Sequence, residues 1–498
     1  MASPAKFVVI GLDSADATLL SKWCDSGELP VLQGLRDKGV EGKLTSPAGM
    51  GDDAVWASFY TAVSPARHGR YFSQYLQSGS YVMPLFRDEH LKHEPFWHAL
   101  SRAGRKVGII DVPKCPLSKN LNGFQLADWL VHGRDHATCS WPPDLASTIL
   151  SEFGDDRTDR AESPDLLCRM DTLSDDEFEL LFQRLLDSIE RKSAAAARFL
   201  CQGNWDLFLL VFKESHCAGH QLWHLLDELH PQYDAALAKK LRNPLKIIYQ
   251  ALDSAVGKLL NLVGPETNVI IFSDLGMGPN YTGEAFLDEI LLRLESPVPT
   301  RLQPLYRSAV RAGQEIRGEF FGDRRRFIHA HRHAFQVPHN EISGAIRVNL
   351  KGREPAGRIR PGRELEEFCA NLTQDLLGLI NPDTGASIVD QVLRTSVLFD
   401  GEHQSCLPDL FVVWRRDAPI TAAASPKIGE LRIRTPQYRT GNHVADGFYF
   451  GYGPSVVAAK EPCSASILDI GPTIATLLNA PLSGIEGRPI AALCERQG

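Results

Sequence analysis

The chain has 498 residues, of which 43% are hydrophobic and 23% are charged, a composition typical of a globular protein with a large core. Its 53 lysines and arginines against 61 aspartates and glutamates give a formal net charge of -8. This excess of negative charge argues against nonspecific binding to nucleic acids or to anionic membranes, but a metal or a group of arginines can still hold a small anionic substrate.

The sequence carries no sign of secretion or membrane insertion. No stretch approaches the roughly 18 consecutive apolar residues of a membrane span. The short apolar run near the N-terminus is followed by Asp13 and Asp16 rather than by a cleavage site, so no signal peptide is predicted. The ten cysteines are scattered and form no C-x-x-C pair, which is typical of reduced thiols. We therefore expect a cytoplasmic protein.

Short apolar runs alternate with amphipathic segments along the chain. The runs are rich in Val, Ile and Phe, which is typical of strands covered on both faces, and they lie at 6–13, 106–112, 206–212, 268–274 and 409–414. Apolar residues at helical spacing predict helices at 94–104, 175–200 and 243–264. This alternation predicts an α/β fold with a mostly parallel central sheet.

Reactive side chains stand where these predicted strands end. Asp13 closes the first run, Lys213, Glu214 and His216 follow the third, and Asp274 closes the fourth. Because the carboxyl ends of parallel strands face one edge of the sheet, we expect these side chains to converge there. Taken alone, Asp13 also suits a helix N-cap and Asp274 a turn.

The alternation of strands and helices fails between about 279 and 343, where we expect a lid inserted over the site within one 498-residue domain. This segment holds a basic stretch made of Arg324 to Arg326, His329, His331 and His333. It can close over an anionic substrate. A solvated run of charge is the alternative, and the favoured one.

Three histidines follow the third predicted strand in the sequence ESHCAGHQLWH. His216 and His220 are four residues apart, so a helix would place both imidazoles on one face within reach of a single cation. His224 lies one turn further from the strand end. His443 stands in a glycine-rich loop before another apolar run. The alternative is a set of core or surface histidines with ordinary hydrogen bonds.

Five longer stretches carry the most specific signal. They read VIGLDSADATLLSKWCDSGELPVLQGLRDKG, WASFYTAVSPARHG, FWHALSRAGRKVGIIDVP, IRVNLKGREPAG and ILDIGPTIATLLNAPLSGIEGRPI. Together they resemble the type I phosphodiesterase and nucleotide pyrophosphatase branch of the alkaline phosphatase superfamily, from the first strand almost to the C-terminus. The resemblance implies an α/β sandwich with helices on both faces of the sheet. It also implies a bimetallic, usually zinc, site for phosphate-ester cleavage and a Thr or Ser nucleophile that forms a covalent intermediate.

The resemblance also implies a set of metal ligands. Asp13 matches the metal-binding Asp after the first strand, His220 and His443 match two histidines of the second metal, and Asp274 matches the Asp of the family's SDHG motif.

Three positions depart from the family pattern. Leu275 stands where the family has the His of SDHG, and His216 stands where it has Asp. Counting back from the matching Trp56, the nucleophile position falls on Asp52 in the sequence GMGDDAVW, with Asp53 as the alternative if the alignment slips by one. The hydroxyl nucleophile is therefore absent.

These departures sort the ligands by type. The imidazoles of His216, His220 and His443 suit zinc, or iron or manganese. The carboxylates of Asp13, Asp52 and Asp274 suit a second metal such as Mg²⁺, Mn²⁺, Ca²⁺ or Zn²⁺, or they hold no metal and act as acids and bases.

Asp52 has three possible roles: to attack phosphorus itself, to act as a general base for water, or to bind a metal. A carboxylate drawn to a metal loses nucleophilicity, which favours the base or ligand role over the nucleophile. Arg70, Lys213 and Glu214 are candidates for contacts to the substrate. For Arg70 a surface arginine is the alternative, and the charged pair at the strand end also suits a layer that supports the metal ligands.

Three functions follow as hypotheses. The first is a metal-dependent hydrolase of a phosphate ester or anhydride, in which water replaces the hydroxyl nucleophile and the substrate is a small anion. The second is a metalloenzyme recruited for non-phosphate chemistry such as a lyase, transfer or oxidative step. The third is an inactive, metal-stabilised binding protein.

Overall fold

The computed structural model describes residues 5–130, 137–155, 173–295, 329–340, 342–432, 439–456 and 463–494. The strands in these ranges are β1 Ala5–Leu12, β2 Val40–Thr45, β3 Val107–Ile110, β4 Gly123–Ala127, β5 Cys139–Trp141, β6 Trp205–Phe212, β7 Asn268–Ser273, β8 Gly276–Pro279, β9 Ala334–Val337, β10 Gly344–Val348, β11 Val389–Arg394, β12 Leu410–Trp414, β13 Ala422–Ser425, β14 Gly429–Arg432, β15 Gly441–Val444, β16 Asp446–Tyr452 and β17 Cys463–Ser466.

The α-helices in the same ranges are α1 Ala17–Asp25, α2 Pro30–Lys38, α3 Asp52–Thr61, α4 Pro65–His68, α5 Phe96–Arg102, α6 Leu145–Phe153, α7 Asp175–Gln202, α8 Glu214–Leu222, α9 Ala235–Lys240, α10 Pro244–Leu260, α11 Glu284–Leu294, α12 Arg363–Leu377, α13 Thr395–Leu398, α14 Ile470–Leu477 and α15 Ala491–Cys494. Short 3-10 turns lie at Asp88–His90, Trp223–Leu225, Gln404–Cys406 and Ile467–Asp469.

A nine-stranded sheet forms the centre of the molecule, in the order β17-β2-β16-β7-β1-β6-β3-β4-β5. The central strands are parallel, and Ile10 of β1 lies opposite Leu210 of β6 and Ile271 of β7. β16 is antiparallel to both β2 and β7, and β5 is antiparallel to β4. The structure thus confirms the mostly parallel central sheet.

Helices cover both faces of this sheet, as the unbroken apolar runs predict. Alternate residues of β1 face opposite layers. Val8 and Ile10 join a core with side chains of α1, α2, α7, α8 and α10. Phe7 and Val9 join a second core with side chains of α3, α5 and α14, where Trp56 is completely buried. Each large side chain buried in this way contributes about 1.5–3 kcal/mol, so the sheet is a rigid base for the site at its edge.

A smaller antiparallel sheet lies beside the central one, in the order β11-β12-β10-β9. It shares a third core with α11 and α12. The apolar run predicted as a strand at 409–414 is β12 of this sheet and is not part of the parallel sheet. Its side chains are mostly buried, and a short continuous apolar run does not distinguish a buried antiparallel strand from a parallel one.

The predicted lid at 279–343 falls only partly within the described residues. Its flanks form α11 and β9, and Arg324 to Arg326 lie outside the described ranges. His329 packs on Phe335 with ring centroids 4.2 Å apart, whereas His331 is exposed. Closure over a substrate stays a prediction. None of the helices in the described ranges combines the length and apolar character needed to cross a lipid bilayer.

Candidate active site

The carboxyl ends of β1, β6 and β7 are tied together at one edge of the central sheet. The backbone amide of Asp13 donates to the carbonyl of Phe212 at 2.8 Å, which extends the β1–β6 ladder by one residue. The backbone amide of Ser14 donates to Oδ1 of Asp274 at 2.9 Å, and Ser215 Oγ donates to the carbonyl of Asp13 at 2.7 Å. These bonds bring the three predicted strand ends into one site.

Helix α8 begins at Glu214, directly after β6, and packs against the two-stranded ribbon of β8 and β15. Two glycines permit this close approach. A Cβ added at Gly219 would lie 2.5 Å from Cγ of Met277, and one added at Gly441 would lie 2.1 Å from the carbonyl oxygen of Gly219. The β15 strand can therefore place His443 directly over the histidines of α8.

The three predicted histidines form a tight, buried cluster. The Nε2 atoms of His216 and His220 each lie 3.2 Å from Nε2 of His443. Among the described residues, this is the one group of three or more potential metal ligands whose ligand atoms all lie within 4.8 Å of one another. The predicted helical spacing thus brings His216 and His220 to the side chain of His443.

The geometry of this cluster fits a metal ion better than direct hydrogen bonds. Nε2 of His443 can take part in one N–H···N bond, so it cannot satisfy both neighbours at 3.2 Å. Nitrogens bound tetrahedrally to one zinc at about 2.0–2.1 Å would lie about 3.3 Å apart. The observed separations match that value.

Neighbouring groups hold the imidazoles in the form that a metal needs. Nδ1 of His220 lies 2.8 Å from the carbonyl of Gly441, which can only accept, so Nδ1 carries the proton and Nε2 keeps its lone pair. Burial, and then the charges of Arg439 and Arg416, lower the pKa of His443 to about 3. A neutral imidazole is the ligand form of histidine.

The three predicted carboxylates are also buried at this edge. Burial raises the pKa of Asp13 well above its usual range, and the charges of Asp274 and Asp52 raise it further. Burial likewise raises the pKa of Asp52 to about 6 and that of Asp274 to about 7. Oδ2 of Asp13 and Oδ2 of Asp274 are buried with no hydrogen-bond partner in the described part of the chain.

Buried carboxylate oxygens of this kind need a cation or a proton. Within the described residues, however, the three aspartates do not form a second group as tight as the three histidines. Leu275, at the position of the family's missing histidine, is completely buried and offers no ligand atom. A second metal at the aspartates therefore stays a prediction.

The adjacent aspartates at the start of α3 have different surroundings. Burial pushes the pKa of Asp53 upward, but the charges of Lys114 and Arg70 outweigh it, so the pKa of Asp53 lies below its usual value. Nε and Nη2 of Arg70 donate to Oδ1 of Asp53 at 3.2 and 2.7 Å. The pKa of Asp52 is raised, by burial and then by the charge of Asp53. Neighbouring carboxyls whose pKa values are shifted in opposite directions typically have different roles. This favours Asp52 over Asp53 as the acid or base of the reaction.

The three predicted substrate contacts are all buried and in part engaged with the protein. Arg70 binds Asp53 and also donates from Nη1 to the carbonyl of Lys114 at 3.0 Å. Oε1 of Glu214 accepts a hydrogen bond from Ser188 Oγ at 2.6 Å, and Lys213 is 1% exposed. Contact of Arg70, Lys213 and Glu214 with a substrate stays a prediction.

The buried Arg70–Asp53 pair gives a stability prediction. Arg70→Ala is expected to lower the free energy of unfolding by about 3–5 kcal/mol, because it leaves a buried carboxylate without its partner. Both side chains are at most 5% exposed. Urea unfolding measures the effect, with Arg67→Ala as the control, since Arg67 donates to the Gly484 carbonyl at an exposed position. An unchanged midpoint with a raised KM would instead support the substrate contact.

Sequence reasoning missed three cationic residues at this site. Lys114, Arg416 and Arg439 are close enough for their charges to shift the pKa of Asp52 or His443. Lys114 lies just after the predicted strand at 106–112, so the rule that selected Asp13 would also have selected it. Arg439 lies four residues before His443 in the sequence, but no local pattern marks it.

A known protein family matches most of the chain. The family model for type I phosphodiesterase / nucleotide pyrophosphatase matches residues 7–446. The chain belongs to this family. This phosphodiesterase family is a branch of the alkaline phosphatase superfamily, and its members are phosphoryl hydrolases. No curated protein gives a significant match.

Two solved structures share the fold over nearly the whole chain. Phosphonoacetate hydrolase from Sinorhizobium meliloti 1021, in complex with phosphonoformate, is 14% identical with a TM-score of 0.52, and the match covers 96% of each chain. Murine ectonucleotide pyrophosphatase / phosphodiesterase 5 is 12% identical with a TM-score of 0.53, and the match covers 97% of each chain. At these identities the likeness concerns the fold alone.

Proposed function

We propose that this phosphodiesterase-family chain is a metal-dependent hydrolase of a phosphate ester or anhydride that uses water in place of the family's hydroxyl nucleophile. The observation that carries the proposal is the convergence of three imidazoles at the same sheet edge as Asp52, where the Nε2 atoms of His216 and His220 each lie 3.2 Å from Nε2 of His443. The substrate is a small anion. The ten scattered cysteines, which form no C-x-x-C pair, favour a cytoplasmic location.

The histidines and the aspartates of the site have different proposed roles. His216, His220 and His443 would hold zinc, or iron or manganese, and Asp13, Asp52 and Asp274 would hold a second divalent cation if one binds. When bound, a divalent metal supplies Lewis acidity toward a phosphoryl oxygen and lowers the pKa of water. Asp52 accepts the proton of the attacking water, since it is buried at the position of the missing hydroxyl and begins helix α3.

One observation favours the second candidate, a metalloenzyme recruited for a lyase, transfer or oxidative step. Leu275 is completely buried and removes a ligand, while His216 replaces an expected carboxylate. The three-histidine site then carries only neutral ligands. Neutral imidazoles also suit iron and copper chemistry, so the donor set does not by itself select hydrolysis.

The test combines metal content with turnover of an aryl phosphodiester. Protein is purified without chelators or a metal-binding tag, reconstituted with zinc or manganese, and assayed with bis(4-nitrophenyl) phosphate. The proposal predicts metal-dependent release of nitrophenolate that Asp52→Asn removes. Bound metal with no release from phosphomonoesters, phosphodiesters or pyrophosphates would contradict hydrolysis and favour the recruited chemistry.

A further inference from the structure

Hydrogen bonds hold the backbone of Arg439 next to helix α8, which carries His216 and His220. Its carbonyl accepts a hydrogen bond from Nδ2 of Asn280 at 2.9 Å. The next residue, Thr440, donates from its amide to the carbonyl of His220 at 2.8 Å, and its own carbonyl accepts from the amide of Asn280 at 2.9 Å. These bonds join Arg439 to the end of α8 and to the β8–β15 ribbon, so its position relative to the histidines is fixed.

Arg439 is partly exposed, and one buried atom of its guanidinium, Nε, lacks a hydrogen-bond partner in the described part of the chain. Burial of a charged donor without a partner is costly, and groups of this kind in a site are commonly completed by a ligand. Arg439 therefore differs from Arg70, whose guanidinium binds Asp53.

The charge of Arg439 acts on both halves of the site. It contributes to the lowered pKa of His443 and partly opposes the rise in the pKa of Asp52 that burial and Asp53 cause. Arg416 contacts the β15 strand, since its guanidinium donates to the carbonyls of Asn442 at 3.4 Å and Ile342 at 3.2 Å. The strand that carries His443 is thus bordered by two arginines.

The three imidazoles bring no negative charge to their half of the site. A bound divalent cation would meet neutral ligands there, with the positive charges of Arg439 and Arg416 acting on His443, while the buried carboxylates of Asp13, Asp52 and Asp274 form the other half. Among the described residues no carboxylate joins the three-histidine group. A second acidic group on the substrate would be attracted to the positive charge of these arginines.

We propose that Arg439 binds a second anionic group of the substrate, a carboxylate or a phosphate, so that the natural substrate is a phosphate ester or anhydride carrying a further acid group. This inference rests on the proposed function. Guanidinium binds both carboxylate and phosphate through two parallel hydrogen bonds, and lysine does not reproduce that geometry.

The test measures binding and needs no turnover. Three probes share an ethylphosphonate skeleton: ethylphosphonate itself, phosphonopropionate, which adds a carboxylate, and ethylene diphosphonate, which adds a second phosphonate. Calorimetric titration of the zinc-loaded protein is expected to show at least about tenfold tighter binding of one or both doubly acidic probes than of ethylphosphonate. The tighter of the two identifies the second acid group.

Arg439→Gln is expected to remove this preference while it changes ethylphosphonate binding by less than about threefold. Arg439→Lys should keep only part of the preference, and it serves as the folded variant if Arg439→Gln is unstable. Arg415→Gln is the matched control, since Arg415 is the exposed neighbour of Arg416 with its nearest carboxylates at 3.9 Å.

Equal binding of all three probes by the unmodified protein would overturn the inference. It would also be overturned if both Arg439 variants still bound the doubly acidic probes more tightly than ethylphosphonate by the same factor. Failure of the proposed function has a different signature. In that case aryl phosphodiester is not turned over and His443→Ala leaves ethylphosphonate binding unchanged, whatever Arg439 does. Binding of none of the probes would count against both.

Discussion

His443→Ala is expected to remove at least one equivalent of metal per chain and to reduce phosphodiester turnover by at least about 10³-fold, since a metal contributes several kcal/mol to the transition state. His443 is the residue with the largest expected effect because its Nε2 lies 3.2 Å from both other imidazoles. Elemental analysis of protein purified without chelators measures the metal. His220→Ala should behave in the same way.

The control is His98→Ala, a histidine of α5 in the opposite helical layer whose Nδ1 lies 3.7 Å from Glu94. It is expected to leave metal content and turnover unchanged. Retention of the full metal content by His443→Ala would show that the cluster is a set of structural histidines. In the unmodified protein, about two equivalents of zinc would indicate that a bimetallic site survives its substitutions. One transition metal, alone or with a hard cation, would indicate that the sorted ligands hold different ions.

Much of this site could be predicted from sequence because its residues follow simple local rules. Asp13 and Asp274 end apolar strands, and His216 and His220 share one helix face. Such patterns depend on residues that are neighbours in the sequence, and the parallel sheet then brings the strand ends together. The position of His443 came from the family resemblance, since its partner histidines are more than two hundred residues away in the chain.

The remaining features depend on tertiary contacts that no local pattern encodes. Arg70 follows a helix turn and suggested a substrate contact, but its guanidinium meets Asp53, 17 residues earlier. β12 has the apolar character of a central strand, yet it belongs to the smaller antiparallel sheet. Arg439 acquires its place from backbone bonds of neighbouring residues to α8 and β8. The sequence therefore predicts the candidate metal-ligand residues better than the positions of the charged side chains around them.

Replacing Asp52 and replacing Asp53 with asparagine are expected to change the stability of the fold in opposite directions. In the metal-free protein near pH 7.5, Asp52→Asn is expected to stabilise the fold by up to about 3 kcal/mol, because the pKa of Asp52, about 6, shows that its charged form is disfavoured there. This difference starts to decrease as the pH falls below about 6, where Asp52 takes up a proton in the folded protein, and it is lost only near pH 4, the ordinary pKa of an aspartate in the unfolded chain. Asp53→Asn should instead destabilise, since it breaks the pair with Arg70. Urea unfolding of both variants at pH 7.5 and pH 5 measures these differences. Equal effects of the two substitutions would contradict the different roles assigned to the two carboxyls.

In the metal-loaded protein, Asp52→Asn is expected to reduce kcat by about 10²–10⁴-fold, the usual contribution of a general base. The three roles left open for Asp52 separate cleanly. A base leaves metal content intact in the Asn variant and gives no covalent adduct, whereas a ligand loses metal with the same substitution. A nucleophile gives a phosphoryl adduct on the α3 N-terminal peptide after acid quench, sensitive to hydroxylamine because it is an acyl phosphate. Since a carboxylate next to a metal is a poor nucleophile, we expect no adduct, and its detection would return the chain to the family's covalent mechanism with a carboxylate in place of the hydroxyl.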